Sequence, residues 1–372
     1  MKFSVARDSL LKTLGHVQAV VERRNSIAIL GNVRLAAQDG KLQLTGTDND
    51  ITMQGAVDAL VDKEGVTTVS ALKFFDIVRK LPEGSTLEAS MAKDGSRLNL
   101  NAGHAKFVLA CLSADTFPEN TSMAPVVTFD MTGEQLKKVL AKAQFAASVD
   151  DTRQYLNGVY MHVVKDNKGA DKLRFVATDG HRLARIELTL PQGAEHMPAV
   201  ILPRKTIQEL KAIAEAAPTV AVAVSERKVQ FKTASMVLTS KVIDGTFPDY
   251  EKVIPYDNKK LMSVSRPELL QAVDRVAVLS HEKSRSVRFA LAPQQLTITA
   301  NNPDQENAVE ELAVEYSEDK LDVGFNAKYV AEIGSVIDGG DVNFLFKDSN
   351  SPVLLKDPKD PGSLYVLMPM RI

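Results

Sequence analysis

The chain has 372 residues, 44% of them apolar and 25% charged, a globular balance that excludes disordered and fibrous classes and gives room for two or three domains. Its apolar runs, such as residues 220–224, fall far short of the ~20 that span a bilayer, and residues 1–7 do not open a signal peptide, so a cytoplasmic protein is expected. With one cysteine, and no two of its six histidines a helical turn apart, neither a disulfide, a metal site nor a cofactor is expected; a net charge of −2 argues against nucleic acid unless the charge is unevenly placed.

Taken in chain order, a short strand at Phe3 leads through a polar cap into a helix over 7–24, where Leu10, Leu14, Val17 and Val21 make one apolar stripe and leave Arg7, Lys12 and Arg24 free to face outward. An alternating strand and turn, 42–48, follows. Lys73-Phe74-Phe75 then opens a second helix over 72–80. The same order returns with a strand at Phe129, a helix over 133–142, a strand and turn over 173–179, and a helix over 204–215 marked by Lys205-Thr206-Ile207. It returns once more with Met262, a helix over 266–285, a strand and turn over 296–302, and a helix over 326–333 marked by Lys328-Tyr329-Val330. Leu10, Leu136 and Leu269 are equivalent, at spacings of 126 and 133 residues, and Thr116-Phe117-Pro118 and Thr246-Phe247-Pro248 close the first two copies. Domain-sized spacing means three copies of one α+β unit, with helices on one side of antiparallel sheets and boundaries near residues 125 and 255: 1–125, 126–255 and 256–372.

The predicted helices hold 18 Lys and Arg against 10 Asp and Glu, leaving 27 against 37 for the rest of the chain. Helices are therefore basic and sheets acidic. A surface lined by such helices attracts phosphates despite the overall charge, and with no zinc finger or helix-turn-helix signature the binding expected is sequence-independent. Lys137 is singled out by this charge pattern.

Thr178-Asp179-Gly180-His181-Arg182 could be taken for a base and its orienter, but no nucleophile elbow, Walker loop or dinucleotide fingerprint accompanies it, and the equivalent turns at Thr47-Asp48 and Asn301-Asn302 lack the histidine. A turn-forming Asp-Gly is the better reading. The apolar, methionine-containing C-terminus, 365–372, suits either a groove for short peptides or a last core strand. Two rivals from other classes are a hydrolase built on Asp179 and His181 and a scaffold that never meets DNA, the second of which leaves the basic helices unexplained.

End to end, the chain resembles the bacterial DNA polymerase III β subunit, the replicative sliding clamp. The likeness is carried by Met1-Lys2-Phe3, Ile29-Leu30-Gly31-Asn32, Leu44-Thr45-Gly46-Thr47-Asp48, Leu81-Pro82-Glu83-Gly84, Tyr155-Leu156-Asn157-Gly158, Ala177-Thr178-Asp179-Gly180-His181-Arg182-Leu183, Pro203-Arg204-Lys205, Phe247-Pro248-Asp249-Tyr250, Gly324-Phe325-Asn326 and Met368-Pro369-Met370-Arg371. The resemblance implies a non-catalytic, head-to-tail homodimeric ring around double-stranded DNA, with helices inside and sheets outside. Across the protomer contact it sets Phe107 and Leu109 against Val278 and Leu279, and Lys73 and Lys106 against Asp304 and Glu306. It assigns DNA contact to Arg24, Arg204 and Lys205. A peptide groove is implied at Leu156, Thr178, Gly180, His181, Arg182, Leu183, Pro248, Val253, Asn326, Tyr329, Val366, Met368, Pro369, Met370 and Arg371. There the replicative polymerase subunit, the clamp loader, repair polymerases and mismatch-repair proteins would dock through short linear motifs. Lys252, Pro352 and Ile372 stand where relatives often carry arginine, serine and leucine, which bears on partner affinity.

Overall fold

The computed structural model describes residues 1–22, 26–118, 123–166, 168–215 and 217–371. Among the described residues, six α-helices occupy the six expected places: α1 Arg7–Ala19, α2 Ala71–Lys80, α3 Gly133–Gln144, α4 Arg204–Ala214, α5 Arg266–Ala277 and α6 Ala327–Ser335. Two of them end early. After α5 the chain tightens into i→i+3 bonds, with Val278, Leu279 and Ser280 N–H donating to Arg275, Val276 and Ala277 carbonyls. The Ser280 hydroxyl also takes the Ala277 carbonyl at 2.7 Å, competing for an acceptor that further helix would need. At the end of α1, Val21 N–H bonds Gln18 in the same tightened way.

The expected polar caps are mostly absent at the three equivalent helices. Only α3 has one, where Thr132 Oγ1 accepts from Gln135 N–H and the Gln135 side chain accepts from Thr132 N–H. What recurs instead is a backbone device, because the first N–H of each helix needs an acceptor. Arg7 N–H donates to Ser85 O at 2.9 Å, Gly133 N–H to Pro218 O at 3.2 Å and Arg266 N–H to Gly340 O at 2.8 Å. In every copy the acceptor lies in the loop after that copy's second helix.

The chain folds as two compact units, residues 1–137 with 191–242 and residues 138–190 with 243–372, and their limits do not coincide with the repeat. In the first unit thirteen strands form one sheet. Its seam between copies is the antiparallel pairing of strand Met236–Lys241 with Ile51–Asp58, where Leu238 lies opposite Met53. Leu10, Leu14 and Val17 of α1 are fully buried, each contributing about 1.5–3 kcal/mol. Gly46 lets the strand Lys41–Thr47 come this close to α1, since a Cβ there would stand 2.5 Å from the Val17 carbonyl oxygen.

In the second unit, strands Gly158–Lys165, Asp171–Thr178 and Arg182–Thr189 continue into Asp360–Leu367, Val353–Asp357, Asp341–Phe346 and Lys260–Ser265. The seam here is Leu183 opposite Val366. A separate four-stranded sheet, Asn307–Ala313, Gln295–Asn301, Ser286–Ala292 and Leu321–Asn326, completes the third copy together with α5 and α6.

Two cations expected to face outward do not. Arg7 is 11% exposed along its side chain because its guanidinium bonds the Val78 and Arg79 carbonyls, capping the C-terminus of α2. Lys142, counted in the basic surface of α3, is buried with its ammonium 2.7 Å from Asp338 and 2.8 Å from Asp360. Lys138 joins at 3.0 Å. Burial opposes ionisation of Asp360, but the hydrogen bonds from Lys142, Ser363 and Lys138 prevail and hold its carboxyl at about 2.

Candidate functional site

The site begins with a turn. Strands Asp171–Thr178 and Arg182–Thr189 pair in register, and between them Asp179 Oδ1 accepts the N–H groups of His181 at 2.9 Å and Arg182 at 3.0 Å. The Thr178 hydroxyl donates to the Arg182 carbonyl at 2.7 Å and accepts from Gly180 N–H at 3.1 Å. Gly180 sits at φ +90°, a conformation that glycine adopts without strain. This bonding sends His181 outward and Arg182 inward.

Arg182 is 7% exposed, and each of its three nitrogens makes a hydrogen bond. Its Nε donates to Asp179 Oδ2 at 3.2 Å, its Nη2 to the Phe145 carbonyl at 2.6 Å, and its Nη1 to the Glu332 carboxylate. Its guanidinium lies 4.3 Å from the Tyr329 ring centroid and 5.1 Å from that of Phe145. A cation over an aromatic face contributes about 0.5–2 kcal/mol, and here it also fixes the plane of Tyr329, on which His181 stacks at 6.3 Å. Burial beside Asp179 pushes the Tyr329 phenol up, so it stays a neutral hydroxyl.

The C-terminal segment is laid against this turn by backbone bonds. Met368 N–H donates to His181 O at 2.9 Å and Met370 N–H to Gly324 O at 2.8 Å. Asp360–Leu367 is a core strand, as one reading of the C-terminus expects, and Met368 beyond it is 38% exposed. Leu156, Leu183 and Val366 are buried apolar residues at 5%, 2% and 2% exposure. Asn326 caps α6 through Lys328 N–H at 3.0 Å and donates to Ser284 O, placing Tyr329 one turn on. Pro248 and Val253 are exposed on the segment Phe247–Val253, and Thr178, Pro369 and Met370 are half-buried while Arg371 is exposed. Lys252 is spent on Asp249 at 2.8 Å, and the Pro352 carbonyl accepts from Asn258. All fifteen groove residues inferred from the sequence thus belong to one unit.

Three residues that hold the site were not expected in it: Asp179, as the anchor of Arg182, Phe145 and Glu332. Asp179 and Glu332 lie three positions from Arg182 and Tyr329, a visible spacing, whereas nothing in the sequence joins Glu332 to Arg182 across 150 residues. The geometry offers no catalytic dyad at Asp179 and His181, because the carboxylate is taken by backbone N–H groups and Arg182.

Elsewhere, Lys137 is exposed and 3.7 Å from Glu215, and Arg204 is half-buried at the start of α4. Lys205 bonds the Val20 carbonyl and the Asp48 carboxylate, so part of its charge is spent within the chain. Arg24 and Ile372 lie outside the described residues. Lys73, Lys106, Asp304 and Glu306 are exposed, as is Val278 at 78%, while Phe107 and Leu279 are half-buried. Leu109 is different. Strand alternation turns it inward at 7% exposure, so it offers a partner little surface and the apolar residue exposed beside it is Val108, at 62%.

Family models for the DNA polymerase III beta subunit match the chain three times: the N-terminal domain at residues 1–121, the central domain at 130–249 and the C-terminal domain at 251–371. The chain is 45% identical over 373 residues to the beta sliding clamp of Caulobacter vibrioides, and 38% identical over 375 residues to that of Escherichia coli K12, with 100% of both chains covered in each case. Among solved structures it is similar to the Caulobacter crescentus beta sliding clamp with PEG bound to its putative beta-motif tethering region, at a TM-score of 0.98, 45% identity and 100% and 99% coverage. It is also similar to the Bartonella birtlesii sliding clamp bound to griselimycin, at a TM-score of 0.97, 40% identity and full coverage of both chains.

Proposed function

The chain belongs to the DNA polymerase III beta subunit family, and from that premise we propose that the surface gathered around Arg182 and Tyr329 is where its partners dock. The protein is a sliding clamp: a non-catalytic processivity factor that forms a dimeric ring, encircles duplex DNA without reading its sequence and tethers replication and repair proteins. Within that role the fifteen residues set out above form the peptide groove. Leu156, Leu183 and Val366 are its apolar floor, His181 and Tyr329 its aromatic side, and Met368 to Arg371 an adaptable wall. No helix among the described residues is long and apolar enough to cross a membrane, and we place the protein in the cytoplasm.

The observation that carries the docking reading is the state of Arg182. A guanidinium 7% exposed, held by two carboxylates and a carbonyl and lying over two rings, is fixed in position, so it acts as a rigid wall that keeps Tyr329 and His181 in place for an apolar side chain. Deletion of residues 368–372 is expected to weaken a short peptide containing leucine and phenylalanine by at least tenfold in a fluorescence titration, with the dimer intact by sedimentation. Unchanged peptide affinity would remove the C-terminal wall from the reading.

Phosphate contacts are assigned to Arg24, Lys137, Arg204 and Lys205, and the protomer contact to Phe107 against Val278 and Leu279, with Leu109 buried behind it, flanked by Lys73 and Lys106 against Asp304 and Glu306. Domain boundaries are placed near residues 125 and 255. Processivity then follows from topology, because a closed ring need not grip phosphates tightly to stay linked to the duplex. A tethered polymerase rebinds at an effective concentration on the order of mM.

A further inference from the structure

Beside the docking surface, in the same unit, lies a cavity of about 930 Å³ that none of the assigned residues except Pro248 touches. Its volume is within the range of ligand sites, roughly 300–1,000 Å³. One wall is aromatic: the Tyr160 ring stacks on Phe247 at 4.7 Å and 7° and on His162 at 4.4 Å and 22°, with Tyr250 edge-on to His162 at 5.7 Å. The other wall is polar, carrying Arg174, Arg185, Glu187, Glu251 and Tyr256.

By formal charge the lining has four carboxylates and three cations, but every carboxylate is already engaged. Glu187 accepts from Arg174 at 2.8 Å, and Glu251 from Arg174 and the Tyr256 hydroxyl. Asp249 is paired with Lys252, and Asp166 accepts two backbone N–H groups with Lys172 at 3.7 Å. The donor left over is on Arg185. Its Nη1 bonds the Tyr256 hydroxyl at 2.7 Å and lies 4.0 Å from Glu251, its Nη2 stands 3.7 Å from Glu187, beyond hydrogen-bond reach, and its Nε is buried with no hydrogen-bond partner in a residue only 9% exposed. A largely buried guanidinium short of acceptors is costly, and an oxygen brought into the cavity against its terminal nitrogens lowers that cost.

The occupant is indicated by continuity. The short stretch Phe247 to Val253 gives Pro248 and Val253 to the docking surface, while Phe247, Pro248, Tyr250 and Glu251 line the cavity. We infer that the cavity is an accessory pocket for the segment flanking a docked partner peptide, and that it selects a carboxylate-bearing residue there by pairing it with Arg185 against the aromatic wall. This rests on the docking surface proposed above.

The test uses the full-length dimer and labelled peptides of one leucine- and phenylalanine-containing core, extended at either end by two glutamates or, as isosteric controls, two glutamines. One glutamate peptide is expected to bind at least fivefold tighter than its glutamine twin. Arg185→Gln should abolish that preference while the unextended core binds as before, and Lys165→Ala at the cavity rim should leave it intact. Equal binding of both twins at both ends overturns the pocket, and because the pair is compared on the unaltered protein, no misfolded variant can produce that result. A preference that survives Arg185→Gln, or that disappears in Lys165→Ala, overturns it too. Failure of the unextended core to bind would strike the docking surface instead, which separates the two readings.

Discussion

Two turns in this chain are built alike and loaded differently. At the first, the Thr47 hydroxyl donates to Ile51 O and accepts from Asn49 N–H, while Asp48 Oδ1 accepts from Asp50 and Ile51 N–H. At the second, Thr178 and Asp179 make the same bonds to the equivalent atoms. The left-handed position is Asn49 at φ +79° in one and Gly180 at φ +90° in the other. The remaining carboxylate oxygen sets them apart: Asp48 takes Lys205 of α4, whereas Asp179 takes Arg182 and, through it, Tyr329 and Glu332. One repeat spends its turn on internal bracing, and the next uses it to orient a surface. A repeated backbone therefore does not imply a repeated function, and the difference is made by the few side chains hung on it.

The sharpest way to break this comparison is Arg182→Ala. It strands the half-buried Asp179 and Glu332 and removes the buried cation between them, so denaturant unfolding should show a loss of about 3 kcal/mol together with loss of peptide binding. A small stability change would mean that the second turn carries no such load.

A pH series comes next. Burial, with the neighbouring Arg174 charge, lowers His162 to about 4, whereas the first copy's corresponding strand, Asn32–Gln38, has no histidine. Because the folded protein holds this imidazole neutral, the unfolded chain binds more protons. Stability is therefore full above ~6.5 and falls as pH drops towards 4, by at most about 3 kcal/mol. Unfolding of His162→Phe in urea at pH 7 and pH 4.5 should show a smaller difference than the unaltered protein.

Smaller effects compare the turns directly. Gly180→Ala should cost about 1 kcal/mol, since φ +90° disfavours a Cβ and Arg153 lies 3.2 Å from its position, while Asn49→Gly should change stability by a few tenths of a kcal/mol at most. Asp48→Asn keeps the turn acceptor and releases Lys205. DNA affinity should then become more salt-dependent, with the slope of log K against log salt steeper by about 1. An unchanged slope would show that Lys205 is not a phosphate contact.

The helices were legible because each begins on a strand and carries its own apolar stripe. The sequence pattern overruns the helix ends at α1 and α5, where apolar residues continue after the backbone has tightened into three-residue turns. The fates of Arg7 and Lys142 were not legible. Spacing within a helix shows which residues share a face, but their acceptors, Val78 and Asp360, are brought in by chain 71 and 218 residues away. For the same reason the Thr-Asp turn could be matched across copies, while Glu332 and Phe145, which give the second turn its load, could not. The division into two units was hidden as well, because it depends on which edge strands of neighbouring copies pair.

The proposed function depends on the chain acting as a closed ring threaded by duplex. The most direct measurement is retention of the loaded dimer on nicked circular DNA before and after the circle is cut once. Persistence on the circle and rapid loss after linearisation, at one salt concentration, is the predicted result. Equal retention on both forms would mean that affinity, not topology, holds the protein to DNA.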